Sequence, residues 1–140
     1  MIKRYSWSFL PEPRMYEALE DRGVFIKRYD EFEATTVILF VTERMKQNYK
    51  TYGDVVNVEY KFTPLKRARS GKHFNICLFL GQDKNIRPIL FGVALLNGEC
   101  PLYYRLTIQY FMEAMNNLVP KTFITNETRA MEKVIKDLRK

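Results

Sequence analysis

Cysteine, histidine and long apolar runs are scarce in this sequence, and each scarcity excludes a class of protein. The 140 residues include two cysteines and one histidine, which are too few for a disulfide scaffold or a zinc site with four protein ligands. The longest apolar runs, such as residues 37–41, are far shorter than the ~20 residues of a membrane span. The N-terminus lacks the apolar segment of a secretory signal. We therefore expect an intracellular protein with no membrane partner.

Apolar and charged residues are abundant enough for a folded domain. Hydrophobic residues make up 46% of the chain, and the formal net charge is +7. A chain of this length buries roughly two thirds of its unfolded surface, which excludes disorder as the main state. The charge is uneven, because residues 42–72 contain eight basic and three acidic side chains, whereas residues 1–41 contain six and seven.

The densest basic segment spans residues 61–72 and contains no acidic residue. Pro64, Ser70 and Gly71 predict that this segment is a loop. Cations in a loop suit contacts with phosphate groups, which are electrostatic and independent of base sequence. A solvated turn that only aids solubility stays open as the alternative. The candidate nucleic-acid-binding residues are Lys61, Lys66, Arg67, Arg69 and Lys72.

Apolar periodicity and turn residues predict an α/β protein in two parts. Residues 1–52 are predicted to form a small α/β extension of two helices and two strands, in which Thr42 caps the second helix. Residues 53–140 predict the element order β-β-β-α-β-α. The predicted segments of this second part are residues 54–62, 73–80, 87–96, 102–118 and 121–125, followed by a final helix. Gly81, Asp83 and Asn85 predict the turn between its second and third strands.

Three segments of the second part resemble consecutive stretches of the sequence pattern of one protein family. They are YGDVVNVEYKF at residues 52–62, ILFGVALLNGE at residues 89–99 and YFMEAMNNLVPKTFITNETRAMEKVI at residues 110–135. Their order and spacing resemble the transposase domain of Mutator-like elements, which FAR1-type plant regulators also carry. The resemblance implies that residues 53–140 form a partial ribonuclease-H-like fold.

The resemblance also implies the chemistry of a transposase. Ribonuclease-H-like transposases hold two Mg²⁺ ions with carboxylates and cut and join DNA strands. The family pattern implies an Asp in the first strand, an Asp after the fourth strand and a Glu on a later helix. The first position falls on Glu59 or Asn57, depending on which neighbouring residues anchor the match, and the second falls on Asn126. The third would lie beyond residue 140, so we expect a truncated core.

These substitutions predict a degenerate catalytic site at Glu59 and Asn126. Asn is neutral, and the extra methylene of Glu displaces its carboxylate from the position that an Asp would give it. We therefore predict a transposase-derived, nuclear protein without nuclease or strand-transfer activity, metal site, cofactor or small-molecule substrate, which retains binding to DNA or protein. Two alternatives stay open. One is an active Mg²⁺-dependent enzyme completed by a partner chain or a C-terminal segment, and the other is an interaction module that oligomerises through an exposed sheet edge.

The single histidine and the two cysteines form no recognised catalytic or metal-binding motif. His73 is predicted to be a structural residue at the start of a strand. Cys77 lies between apolar residues, which predicts a buried free thiol. Cys100 precedes a helix and is interpreted as a loop cysteine, although a helix start lowers the pKa of some thiols.

Overall fold

The computed structural model describes residues 13–31, 34–66, 73–98, 100–125 and 129–138. Its ten elements combine strands and helices, which confirms the predicted α/β class. In chain order they are α1 (Pro13–Asp21), β1 (Phe25–Glu31), β2 (Ala34–Val41), α2 (Glu43–Tyr52), β3 (Val55–Lys66), β4 (His73–Gln82), β5 (Pro88–Leu96), α3 (Pro101–Ala114), β6 (Thr122–Thr125) and α4 (Arg129–Leu138). Among these helices, none has the length and apolar content needed to cross a bilayer.

The six strands form one sheet in the order β1-β2-β5-β4-β3-β6. β6 runs parallel to β3, and the other pairs are antiparallel. β3, β4 and β5 form a meander, and α3 carries the chain back so that β6 lies beside β3. β1 and β2 join the same sheet through the pairing of β2 with β5. The boundary between residues 52 and 53 stays a prediction about domain organisation, and strands from both sides of it share this sheet.

Three helices cover one face of the sheet, which we call the core face. Side chains alternate between the two faces of a strand, and on β3 Val56 and Val58 are fully buried on the core face. The rings of Phe79 and Phe111 stack there with centroids 4.0 Å apart. Val134 and Ile135 of α4, the predicted final helix, belong to the same apolar cluster.

The opposite face, which we call the site face, is defined by Asn57, Glu59 and Lys61 of β3. The guanidinium carbon of Arg28 on β1 is 5.1 Å from the ring centroid of Tyr16 on α1. This contact shows that α1 lies on the site face beside β1. In the centre of the sheet, apolar side chains of this face are only partly buried. These side chains are Ile76, Leu78, Leu80, Val93 and Leu95.

α3 ends at Ala114, four residues before the predicted end at residue 118. Asn116 and Asn117 have positive φ angles of 53° and 60°, and this left-handed conformation ends a helix. The amide of Asn117 donates to the carbonyl of Met112 at 2.8 Å, which closes the last turn. Leu118, the last residue of the predicted helix, is 55% exposed, because it lies beyond the observed helix.

β3 extends to Lys66, four residues past its predicted end at residue 62. The predicted loop at residues 61–72 is therefore wrong for residues 61–66, and residues 67–72 lie outside the described part. Pro64 lacks a backbone N–H group, and proline in a sheet is confined to edges and irregular positions. The register shift between Phe62 and Lys66 provides such an irregularity.

Candidate functional site

The two candidates for the first catalytic position, Asn57 and Glu59, lie on β3, within or directly after its pairing with β6. Val58 pairs with Thr125 in this parallel ladder. Glu59 directly follows Val58, and Asn126 directly follows Thr125 but lies outside the described residues. The resemblance requires acids from neighbouring strands, and β3 and β6 are neighbouring strands.

Glu59 presents a partly exposed carboxylate on the site face. Its side chain is 30% exposed, and Oε2 lies 3.6 Å from Nζ of Lys61. The two residues are two positions apart on one strand and therefore share a face. A pair this exposed contributes at most about 1 kcal/mol to stability. Lys61 thus partly balances the charge of Glu59, and Asn57 adds a neutral amide on the same face.

The ligand inventory of this region is small. Across the described ranges, no three His, Cys, Asp or Glu side chains are grouped closely enough to hold a metal ion. On β3 the site face offers one carboxylate, from Glu59, and one amide, from Asn57. A Mg²⁺ site typically uses one or two carboxylates with additional oxygen ligands.

Two of the five candidate phosphate-binding residues, Lys61 and Lys66, lie in the part of the chain that the structure describes. Lys61 extends from the site face with 63% of its side chain exposed. Lys66 is the last residue of β3 and is the register partner of His73 at the start of β4. Arg67, Arg69 and Lys72 lie outside the described residues. The structure therefore brings Lys61 together with Glu59 and places Lys66 further along the same strand.

The two cysteines occupy different environments. Cys77 is fully buried, and desolvation raises the pKa of its thiol to about 12. This confirms the predicted buried free thiol, which is chemically inert in the folded state. Cys100 is half-buried at the N-cap position of α3, and its side chain makes no capping hydrogen bond.

Sequence reasoning missed one exposed feature, at the turn between β4 and β5. The residues of this turn predict only a polar connection, but Ile86 at its tip is 74% exposed and has a φ of 62°. Asp83 and Asn85 indicate a side-chain-stabilised turn. The left-handed conformation of Ile86 could not be predicted from its residue type, because glycine or asparagine normally indicates that conformation and isoleucine does not.

The chain is similar to a FAR1-related protein over most of its length. Over 98 residues, which are 70% of the chain, it is 26% identical to Protein FAR1-RELATED SEQUENCE 4 of Arabidopsis thaliana. The match covers 13% of that protein, so the chain spans a small part of the relative. No family model matches the chain, and no solved structure matches it. The similarity supports the FAR1-type part of the resemblance.

Proposed function

We propose that the chain is a transposase-derived protein that has lost catalysis and retains nucleic-acid binding. The parallel pairing of β3 with β6 carries this proposal, because it provides the neighbouring strands on which the resemblance puts the first two acids. The similarity to a FAR1-related protein supports the same origin. A nuclear location and independence of cofactors belong to this proposal.

The catalytic part of the proposal rests on the residue types at the acid positions. The first is Glu59 or Asn57, and the second is Asn126. Two-metal catalysis needs anionic oxygens that bridge and charge-balance two divalent ions. An asparagine supplies a neutral carbonyl at the second position, and Glu59 is already paired with Lys61. We therefore propose that these positions no longer support cleavage.

A plasmid nicking assay with Mg²⁺ or Mn²⁺ tests this loss of catalysis. We expect no metal-dependent cleavage by the chain or by Glu59→Gln. Asp137→Asn, which neutralises an exposed acid on α4, is the matched control. Cleavage that Glu59→Gln abolishes and Asp137→Asn leaves intact would overturn the proposal in favour of the active alternative with Mg²⁺ as cofactor.

The binding part of the proposal rests on the concentration of positive charge in the sequence of residues 61–72, a segment that begins on β3. Five of the 23 basic side chains lie between residues 61 and 72, where there is no acid. Lys61 is largely exposed on the site face. Contacts between such cations and phosphates release counterions, so DNA affinity should fall steeply with salt.

A salt titration of duplex affinity tests this binding. Replacing Lys61, Lys66, Arg67, Arg69 and Lys72 by Gln should flatten the plot of log affinity against log salt. The slope should change by about 0.9 for each phosphate contact that is lost. Lys133→Gln on α4, which is exposed, is the control and should leave the slope unchanged. Affinity without salt dependence, or an unaltered slope in the multiple variant, would remove the proposal.

The edge strand β6 favours a second candidate function, which is protein interaction through the edge of the sheet. β6 has four residues and is the last strand of the described sheet beyond β3. Ile124 on β6 is 50% exposed, and Val55 on β3 is 45% exposed on the same face. Exposed edges with apolar side chains pair readily with other chains.

Sedimentation velocity over a range of protein concentrations tests the edge candidate. An oligomer that forms through β6 should dissociate in Ile124→Lys, because the substitution puts a charge beside the edge. Leu102→Lys, at an exposed apolar residue of α3, controls for the added charge. A monomer at all concentrations would exclude self-association through this edge.

A further inference from the structure

The β4–β5 hairpin extends from the sheet as a two-stranded ribbon. Pairing with β3 reaches as far as Leu80, and pairing with β2 reaches as far as Val93. Two further cross-strand pairs lie beyond Leu80, and the outer one joins Gln82 to Pro88. The end of the hairpin therefore has no registered pairing with either neighbouring strand.

Hydrogen bonds from Asp83 fix the turn at the end of this ribbon. Its carboxylate Oδ1 accepts from the amide of Asn85 at 2.8 Å and from the amide of Arg87 at 3.0 Å. Its carbonyl accepts from the amide of Ile86 at 3.0 Å. The two bonds to the carboxylate lower the pKa of the Asp83 carboxyl group, and the bond from the Arg87 amide is the largest cause. The carboxylate is thus committed to the turn.

The residue that this turn presents is unusual for its conformation. Ile86 has a φ of 62°, in a region that a β-branched side chain adopts only with strain. Packing does not explain the choice, because the side chain is 74% exposed. Glycine or asparagine would adopt the conformation more easily. Burial of the side chain does not offset this backbone strain, and such uncompensated strain points to a role in binding.

We propose that Ile86 is an apolar wedge that enters a groove of duplex nucleic acid, with Lys84 and Arg87 contacting the phosphates on its two sides. Both cations are exposed beside Ile86 in the turn. Two-stranded ribbons bind in the minor groove in some DNA-binding proteins, and apolar side chains inserted into that groove separate base steps. The inference rests on the proposed nucleic-acid binding and adds a second contact surface to it.

The pattern of charges favours nucleic acid over a protein pocket as the partner. The two strands of a duplex put phosphates on both sides of every groove. One apolar residue between two cations matches that cross-section. An apolar protein pocket would accept Ile86 without needing either cation.

Ile86→Gly and Ile86→Asn test the wedge, because both residues accept the left-handed conformation. The probe is a short duplex that contains a fluorescent adenine analogue whose emission rises when bases unstack. We expect duplex affinity about tenfold lower in both variants, since one buried apolar contact is lost, and no emission rise on binding. Thermal stability should stay the same or increase. Val119→Asn, at another exposed apolar loop residue, is the matched control and should change neither readout.

The flanking cations are tested separately by Lys84→Gln combined with Arg87→Gln. Loss of two phosphate contacts should reduce the slope of log affinity against log salt by about 1.8. Lys133→Gln combined with Lys136→Gln removes the same charge from exposed positions on α4 and should leave the slope unchanged.

The outcomes separate this inference from the proposed function. If the chain binds the duplex with strong salt dependence but Ile86→Asn binds equally well, the wedge is wrong and the proposed function stands. If the chain binds no duplex, both fail. If Ile86→Asn instead abolishes self-association of the chain, the tip docks a protein and the wedge is overturned.

Discussion

At the scale of single residues, Tyr49 joins three segments of the core. Its ring meets those of Phe91 and Phe111 edge-on, each with centroids 5.4 Å apart. Its hydroxyl donates a hydrogen bond to the carbonyl of Leu118. The buried hydroxyl is therefore satisfied, as buried polar groups generally are. Desolvation, with a smaller effect of the charge on Asp54, raises the pKa of Tyr49 to about 12.

Alkaline pH should destabilise the fold through Cys77 and Tyr49. Burial raises their pKa values from 9.0 and 10.0, respectively, to about 12. The unfolded chain then loses protons that the folded chain keeps, so unfolding becomes more favourable as the pH rises. We expect the melting temperature to fall progressively once the pH exceeds the ordinary value of the cysteine. Thermal unfolding followed across this pH range is the measurement.

Cys77→Ala provides the control for the alkaline effect. Without the thiol, the decline should begin later, near the ordinary pKa of tyrosine. Identical pH profiles for the variant and the wild type would contradict a contribution from Cys77.

Gly81→Ala should destabilise the protein by about 1 to 3 kcal/mol, because the site has no room for a methyl group. A Cβ at this position would overlap the ring of Phe91, and that ring is fully buried and cannot move aside. Chemical denaturation gives the free energy of unfolding. Gln82→Ala, at the exposed next residue, should change it by less than about 0.5 kcal/mol, and a Gly81→Ala protein of normal stability would contradict the overlap.

At the scale of elements, periodicity predicted the helices and strands well, because each buries one regular row of apolar side chains. The predicted cap of α2 is confirmed, since Oγ1 of Thr42 accepts from the amide of Met45 at 3.1 Å. The errors come from information that periodicity does not contain. The apolar pattern of α3 continues through Leu118, but the left-handed Asn116 ends the helix first. Gly81 has the residue type of a turn former, yet it lies within β4 to make room for Phe91.

The candidate site was less predictable than the elements. The resemblance identified Glu59 as a candidate catalytic position from a sequence motif. The ion pair between Glu59 and Lys61, however, depends on which face of β3 is buried. The pairing of β3 with β6 depends on the path of the chain through α3. The left-handed Ile86 had no signal in its own residue type.

Asn116→Gly and Asn116→Ala should change stability in opposite directions. Asn116 has a φ of 53°, which glycine adopts freely and alanine adopts at a cost of about 1 to 2 kcal/mol. We therefore expect Asn116→Gly to be at least as stable as the wild type and Asn116→Ala to be less stable. Equal losses in both variants, measured by chemical denaturation, would show that the asparagine side chain matters more than the backbone.

At the scale of the whole molecule, the pairing of β2 with β5 joins the beginning of the chain to its middle. Val37, Leu39 and Val41 of β2 are fully buried in the shared core. The sheet therefore depends on residues from the predicted N-terminal extension.

Removal of residues 1–52 should prevent stable folding of the remainder. The deletion takes away β2 and Tyr49 and leaves the edge of β5 uncovered, which invites aggregation. Circular dichroism and proton-resolved NMR of residues 53–140 are the measurements, with the full chain as reference. A cooperative, native-like fold in this fragment would instead support the predicted boundary.

The strand order also has a consequence for how the sheet assembles. Contacts between residues distant in sequence form slowly, because the entropy of loop closure is lost before the contacts begin to stabilise the chain. β3, β4 and β5 are consecutive, whereas β2 reaches across to β5 and β6 returns to β3 only after α3. The meander is therefore expected to form the folding nucleus, and β2 and β6 are expected to dock onto it later. Substitutions in β4 should slow refolding, whereas those in β6 should mainly accelerate unfolding.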